Sequence, residues 1–338
     1  MSATATAASL FGLDTGSYQP HPVHGPDRTY IESNCYTDVI VELLHGRGDE
    51  PLAALGCLVR CDFEGDQWTF FKPPPEDLED LFGIDIHEMQ PYRALPLQIL
   101  EQLAQGRTII VELDAWFLPD TAATSYRSEH VKTSVAVEAI DLERRWMRYF
   151  HGPGLFELSG EDYDGVFRLD ADPDPRILPP YAELVRFDAG PRLTGDELRA
   201  AARRSLRRHL RHRPASDPFA RFGAHLEREL PVLLESGADA YHAYAFATVR
   251  MVGAAFELAA SATDWLLGSA ASAATEPMAE IVDRCKVLGF RLARLRAFDP
   301  QPLISALSAS WDEAMTALEA AVSDAPPRAE DRTGRRDA

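Results

Sequence analysis

The chain has 338 residues, 34 Lys plus Arg against 53 Asp plus Glu, a formal net charge of −19, and 46% hydrophobic residues, a balance that excludes wholesale disorder and suffices for two cores. So acidic a chain repels phosphate backbones and anionic membranes, so neither nucleic acid nor membrane is an expected partner. No apolar run approaches the roughly 18–20 residues of a membrane span, no secretory leader opens the chain, and the cysteines Cys35, Cys57, Cys61 and Cys285 are too scattered for a disulfide framework, so a cytoplasmic location with free thiols is expected.

The first informative element surrounds Cys35. In IESNCYTDVIVELLHGRGDEP, polar Glu32, Ser33 and Asn34 precede a helix-compatible run from Tyr36 to Leu44 closed by Gly46, which places Cys35 in the first turn. Unpaired backbone N–H groups and the helix dipole there stabilise a thiolate, lowering the thiol from its free value of about 8.5, and can help form an oxyanion hole. The plainer reading is a small, inert thiol at a helix entry. Farther on, Cys57 and Cys61 in GCLVRC lack a second Cys or His pair at zinc spacing, and Leu58 and Val59 suggest a strand; no metal is expected.

LPLQILEQLAQG reads as a helix, and TIIVELDAWF as a strand that ends near Asp114. In VKTSVAVEAI, Val131, Thr133, Val135, Val137 and Ala139 form one mostly apolar face, leaving His130 with Lys132 and Ser134 on the other. The turn DLERR then joins a second strand, WMRYFH, ending on His151, so a hairpin is expected. A Cys on a helix followed by a His on a hairpin is the arrangement of papain-like cysteine folds, in which the imidazole takes the thiol proton and a third polar group orients the ring. That third group is open between His151, Asp114 and Asp141. Eleven residues of strand would carry Asp141 roughly 35 Å from His130, so His151 is placed ahead, with Asp114 next. Trp116, Phe117, Tyr126 and Trp146 either line a pocket or belong to the core. The acidic run Glu161, Asp162, Asp164, Asp170, Asp172 and Asp174 lacks the Gly and final Glu of an EF-hand and reads as solvated loop.

An α+β domain is expected over 1–170 and a Pro/Asp-rich crossing segment over 171–193. A helical bundle follows over 194–323, opened by Thr194 and Glu197 as a capping box, and then a disordered tail over 324–338. Within the bundle, RAAARRSLRRHLRHR holds seven arginines and no acid. Arg204, Arg207 and Arg208 are therefore candidates for docking an anionic partner, against the plainer reading that they neutralise acidic loops of the same chain or a second subunit. His242 in AYHAYAF reads as a satisfied bundle histidine.

The runs NCYTDVIVELLHGRGDEPLAALG and GRTIIVELDAWFLPDTAATSYRSEHVKTSVAVEAIDLERRWMRYFHGPGLFELSGEDY, with AYHAYAFATVRMVGAAFELAAS, resemble the bacterial family known as domain of unknown function 1839. More remotely, the order of Cys after a polar residue, V-x-x-D-x-x-x-L-P and a His opening a hairpin is similar to the butirosin biosynthesis protein H family, papain-like acyltransferases that move an aminoacyl group from a carrier protein to an amine. That resemblance implies Cys35 as nucleophile, His130 as base, and Asp114, Leu118 and Pro119 at the pocket wall. It departs where V-x-D-P is expected and YFHGP stands, with His151 replacing the Asp.

The resulting expectation is a papain-like acyl or aminoacyl transferase with catalytic Cys35, His130 and His151. Asn34 (oxyanion), Asp114, Trp116, Asp120 and Tyr126 are expected against the substrate. No cofactor is expected to be bound; the phosphopantetheine arm of an acidic acyl or peptidyl carrier protein would be substrate, and a small-molecule or peptide amine the acceptor. A peptidase or thioesterase, or a scaffold with a papain-like shell, are the alternatives.

Overall fold

The computed structural model describes residues 6–169 and 178–323. Asp170, Asp172, Asp174, the first third of the crossing segment and the tail 324–338 lie outside the described residues.

The N-terminal half runs β1 (Ala7–Ser9), α1 (Cys35–Arg47), a 3-10 helix (Pro51–Arg60), β2 (Phe63–Glu64), β3 (Gln67–Trp68), α2 (Pro75–Phe82), β4 (Asp85–Glu88) and α3 (Leu95–Leu103). It continues with β5 (Thr108–Asp114), β6 (Lys132–Asp141), β7 (Trp146–His151), β8 (Gly154–Ser159), α4 (Glu161–Phe167) and β9 (Ala182–Arg186). Seven strands make one antiparallel sheet in the order β4-β9-β5-β6-β7-β8, with β1 beside the far half of β6; the fold is α+β. Both faces of the sheet are covered, because β6 is buried from Thr133 to Ile140 rather than alternating. On one side Ala136 and Phe150 pack with Val39, Ile40, Leu43 and Leu44 of α1. On the other Val135, Val137 and Tyr149 pack with Ile99 of α3 and Tyr163 of α4.

Two expectations about elements are corrected. GCLVRC closes a 3-10 helix, started by Pro51 and capped by the Glu50 carboxylate on Leu52 N–H, instead of forming a strand. Its thiols are buried, and burial pushes Cys57 up and Cys61 up to about 12. The crossing segment contains β9, which lies between β4 and β5 because Ala182 and Val185 are apolar enough to be buried in the sheet.

The C-terminal half is helical: α5 (Gly195–Leu210), α6 (Pro218–Ser236), α7 (Ala238–Ala245), a π-helical turn at Phe246–Arg250, α8 (Met251–Leu267), α9 (Ser272–Ala293) and α10 (Gln301–Val322). Its core takes in Phe219, Phe222, Phe256, Met278 and Trp311 together with Leu55, Leu58, Phe63 and Trp68. The 3-10 helix and the β2–β3 ribbon therefore belong to the helical core. The run Ala238–Ala270 is long and apolar enough to span a bilayer by length and composition, contrary to the expectation, and 56% of its most apolar window is buried within the fold. Thr194 is the N-cap of α5, but its side chain makes no capping hydrogen bond, so the expected box does not form.

The α5 arginines are engaged within the chain. Arg203 and Arg207 donate to the carbonyls of Ala321 and Val322 at the end of α10, Arg199 to that of Trp265 near the end of α8, and Arg208 pairs with Asp77 and Asp80 of α2. Helix C-termini expose unpaired carbonyls and negative dipole ends, which guanidinium groups satisfy. Among the described residues, Arg207 and Arg208 thus have partners within the chain, while Arg204 is exposed.

Candidate active site

Cys35 is the first residue of α1, and the cap beneath it is fully bonded. Asn34 accepts from Thr37 N–H at 2.9 Å and donates through Nδ2 to the Phe71 carbonyl at 3.0 Å, where the Thr37 hydroxyl also donates at 2.9 Å. One N–H of the Asn34 amide is thus committed to the Phe71 carbonyl, while the backbone N–H groups of the first turn of α1 lack intrahelical partners. The helix ends at Gly48 in the left-handed region (φ 80°), not at Gly46. Gly46 lies inside the helix, where a Cβ would stand 2.7 Å from Phe150 Cζ.

A buried polar network braces the same helix. Asp38 accepts from the Ser33 N–H at 2.7 Å and the Ser33 hydroxyl at 2.5 Å, and faces His24 Nε2 at 3.4 Å. Glu42 contacts His24 Nδ1 at 2.5 Å and accepts from Tyr18 at 2.5 Å and His21 N–H at 3.0 Å. Burial by itself opposes charge on His24, but the Asp38 and Glu42 carboxylates outweigh it and raise its pKa from 6.5 to about 9. Burial and Glu42 push Tyr18 up.

Cys35 opens into a cavity of about 760 Å³ that Asp38, Asp120, Thr133, His151, Phe246 and Arg250 also line. The hydroxyl nearest its Sγ is that of Ser134, at 3.7 Å. His151 is fixed from both sides: Nδ1 stands 2.5 Å from Asp120 Oδ2, and Nε2 2.8 Å from Thr133 Oγ1. With Asp120 ionised, Nδ1 donates and Nε2 accepts from the Thr133 hydroxyl. The second Asp120 oxygen accepts from Tyr149 at 2.5 Å, and burial together with that carboxylate pushes Tyr149 up.

The expected residues divide between two places. Cys35, Asn34, Asp120 and His151 line this cavity. His130 does not: it lies beyond the start of β6, where strand pairing begins with Lys132 opposite Asp114, and its side chain is 68% exposed. Its Nδ1 is 2.7 Å from Asp114, its ring stacks on Trp116 at 4.5 Å, and with Asp114 it lines a separate cavity of about 860 Å³. The expected facing of Cys35 by His130 is therefore corrected, and Asp114, not His151, orients His130. Trp116 and Tyr126 are also absent from the Cys35 cavity; Tyr126 donates to Asp162 at 2.9 Å. Asp141 is at the far hairpin turn, accepting from Arg144 N–H at 2.9 Å. Asp162 and Asp164 pair with Arg127 and Arg145 instead of lying bare in solvent, and His242 is exposed. Among the described residues no three His, Cys, Asp or Glu side chains group as metal ligands.

Sequence reasoning missed Thr133 and Ser134 as polar neighbours in this region, and Arg250 and Phe246, which come from the π turn some 210 residues after Cys35. A π turn inside a helix often marks a functional site, but its extra residue leaves no trace in an Ala-rich helical pattern.

The model of the DUF1839 N-terminal domain matches residues 19–187, and that of the DUF1839 C-terminal domain residues 195–320. No curated protein matches the chain, so the expected similarity to the butirosin biosynthesis protein H family is not found there.

Proposed function

The chain belongs to the DUF1839 family, and we propose that this member is a papain-like, cysteine-dependent acyl or aminoacyl transferase with Cys35 as nucleophile and His151 as base. The observation that carries the reading is one cavity holding both a first-turn cysteine and a histidine fixed by a carboxylate. The helix dipole and first-turn N–H groups stabilise negative charge that develops at this end of α1. The Cys35 thiolate attacks the carbonyl of an acyl thioester on the phosphopantetheine arm of a carrier protein; the new C–S bond forms to Cys35, and the pantetheine thiolate leaves and takes up a proton. An amine then attacks acyl-Cys35, its proton passes to the Thr133 hydroxyl oxygen as that hydroxyl gives its own proton to His151 Nε2, the amide forms, and the thiolate is regenerated. Water in place of the amine would make the same steps a hydrolysis.

A second reading has its own observation: the hydroxyl of Ser134, and no imidazole, approaches the thiol within 3.7 Å, as suits a binding pocket in a papain-like shell without catalysis. Turnover of an acyl N-acetylcysteamine thioester, with and without an added amine, separates the two. The transferase reading expects turnover that Cys35→Ala abolishes. Binding without turnover by the parent establishes the binding pocket instead.

A further inference from the structure

The segment Arg28–Ser33, which leads into the Cys35 turn, is gripped at both ends from the C-terminal helical half. Arg250, the last residue of the π turn, donates from Nη1 to the Ser33 carbonyl at 3.0 Å and from Nη2 to the Glu32 carbonyl at 2.8 Å. About two turns further along, Glu257 of α8 accepts from Thr29 N–H and Tyr30 N–H, both at 2.8 Å, and Arg28 returns to Glu257 at 3.6 Å and to Ser261 at 2.8 Å. Between these clamps Tyr30 lies against the bare backbone of Gly253, where a Cβ would stand 2.5 Å from its hydroxyl. The same π turn walls the cavity with Phe246, Ala247 and Arg250.

From this geometry we infer that Arg250 is a positioning residue for Cys35, and that the π turn of the helical half completes the candidate active site by fixing the approach to the nucleophile. The inference rests on the reading of Cys35 as nucleophile, but acts one step before it. A planar guanidinium gripping two successive carbonyls sets both distance and direction, which a single ammonium cannot do. Ser33 and Asn34 in turn hold the first turn of α1 through Asp38 and Thr37. Release of Glu32 and Ser33 therefore loosens the first turn that sets where the thiol stands relative to its backbone N–H groups. The π turn supplies the reach, because its extra residue pushes Arg250 off the regular helical path.

The test is the pH profile of Cys35 alkylation by iodoacetamide, read by peptide mass in the full chain, with buried Cys285 as reporter of unfolding. Arg250→Ala is expected to slow Cys35 labelling about tenfold near pH 7 while leaving the high-pH plateau within about twofold. Arg250→Lys, which keeps the charge and loses the fork, is expected to rescue it only in part. Gly253→Ala, which changes no charge and displaces Tyr30, is expected to slow labelling in the same direction without exposing Cys285. An unchanged profile in both Arg250→Ala and Gly253→Ala overturns the inference, and so does full rescue by Lys with a silent Gly253→Ala, which would assign the effect to charge alone. Loss of acyl turnover plays no part in this readout, so failure of the transferase reading is seen separately.

Discussion

At the scale of single residues, the proposed transfer distinguishes between two His–Asp pairs. His151–Asp120 sits in the cavity with Cys35, while His130–Asp114 stands exposed against Trp116. General-base catalysis contributes roughly 10²–10⁴-fold, so His151→Ala is expected to lower kcat for thioester turnover by about that factor, and His130→Ala to leave it within about twofold. The reverse order in steady-state kinetics would return the base to His130. Cys35 was legible because a polar cap before an apolar-periodic run has a local signature. The choice between histidines was not, because it depends on where β6 begins to pair and on which carboxylate a loop brings back. Asp120 reaches His151 across 31 residues of chain, a distance no spacing rule reports. Ser134 was assigned to the face of His130 by alternation, yet Ser134 approaches the thiol and His130, outside the paired strand, does not.

At the scale of elements, long periodic segments were readable and short apolar runs were not. The hairpin β6–β7 and the α3 helix follow their patterns within a few residues. GCLVRC failed because a short apolar run fits a strand or a buried helix equally, and its burial against the helical core settles the matter. AELVRF was hidden among prolines and aspartates, although its apolar residues join edge strand β4 to β5 in the sheet. The packing of α1 on the sheet yields a direct test at Gly46, whose missing side chain admits Phe150 and Leu13. Gly46→Ala is expected to lower stability by about 1–3 kcal/mol through overpacking, read as a lower urea midpoint with an unchanged slope. A stability gain, as helix propensity alone would give, would show that the contact is looser than described.

At the scale of the whole molecule, the two halves are joined by buried charge and by a shared core. Asp77 of α2 accepts from Ser205 at 2.8 Å and pairs with His209 at 2.6 Å and with Arg208. Burial opposes its charge, but these α5 groups outweigh it and hold its carboxyl below the usual range. Arg208→Glu is accordingly expected to destabilise by about 1–2 kcal/mol, because it sets a like charge beside buried Asp77 while solvent screens the partly exposed Arg208 side of the pair, whereas Arg204→Glu is expected to leave thermal unfolding unchanged; equal effects would restore the arginines as one surface patch. The His24 network sets the alkaline limit. Its folded pKa lies above the unfolded value, so its contribution is complete below about pH 6.5 and is lost as pH rises through about 9. Tm is therefore expected to fall between pH 7 and 10 in the parent and to fall less in His24→Gln; parallel curves would remove His24 from that role. The central claim, an acyl group carried on Cys35, is tested most directly by intact and peptide mass of the full chain after incubation with acyl thioesters of carrier protein and of N-acetylcysteamine. The account predicts one acyl adduct on the Cys35 peptide, absent from Cys35→Ala and discharged by an amine acceptor. An unmodified chain, or an adduct at another thiol that persists in Cys35→Ala, would contradict it.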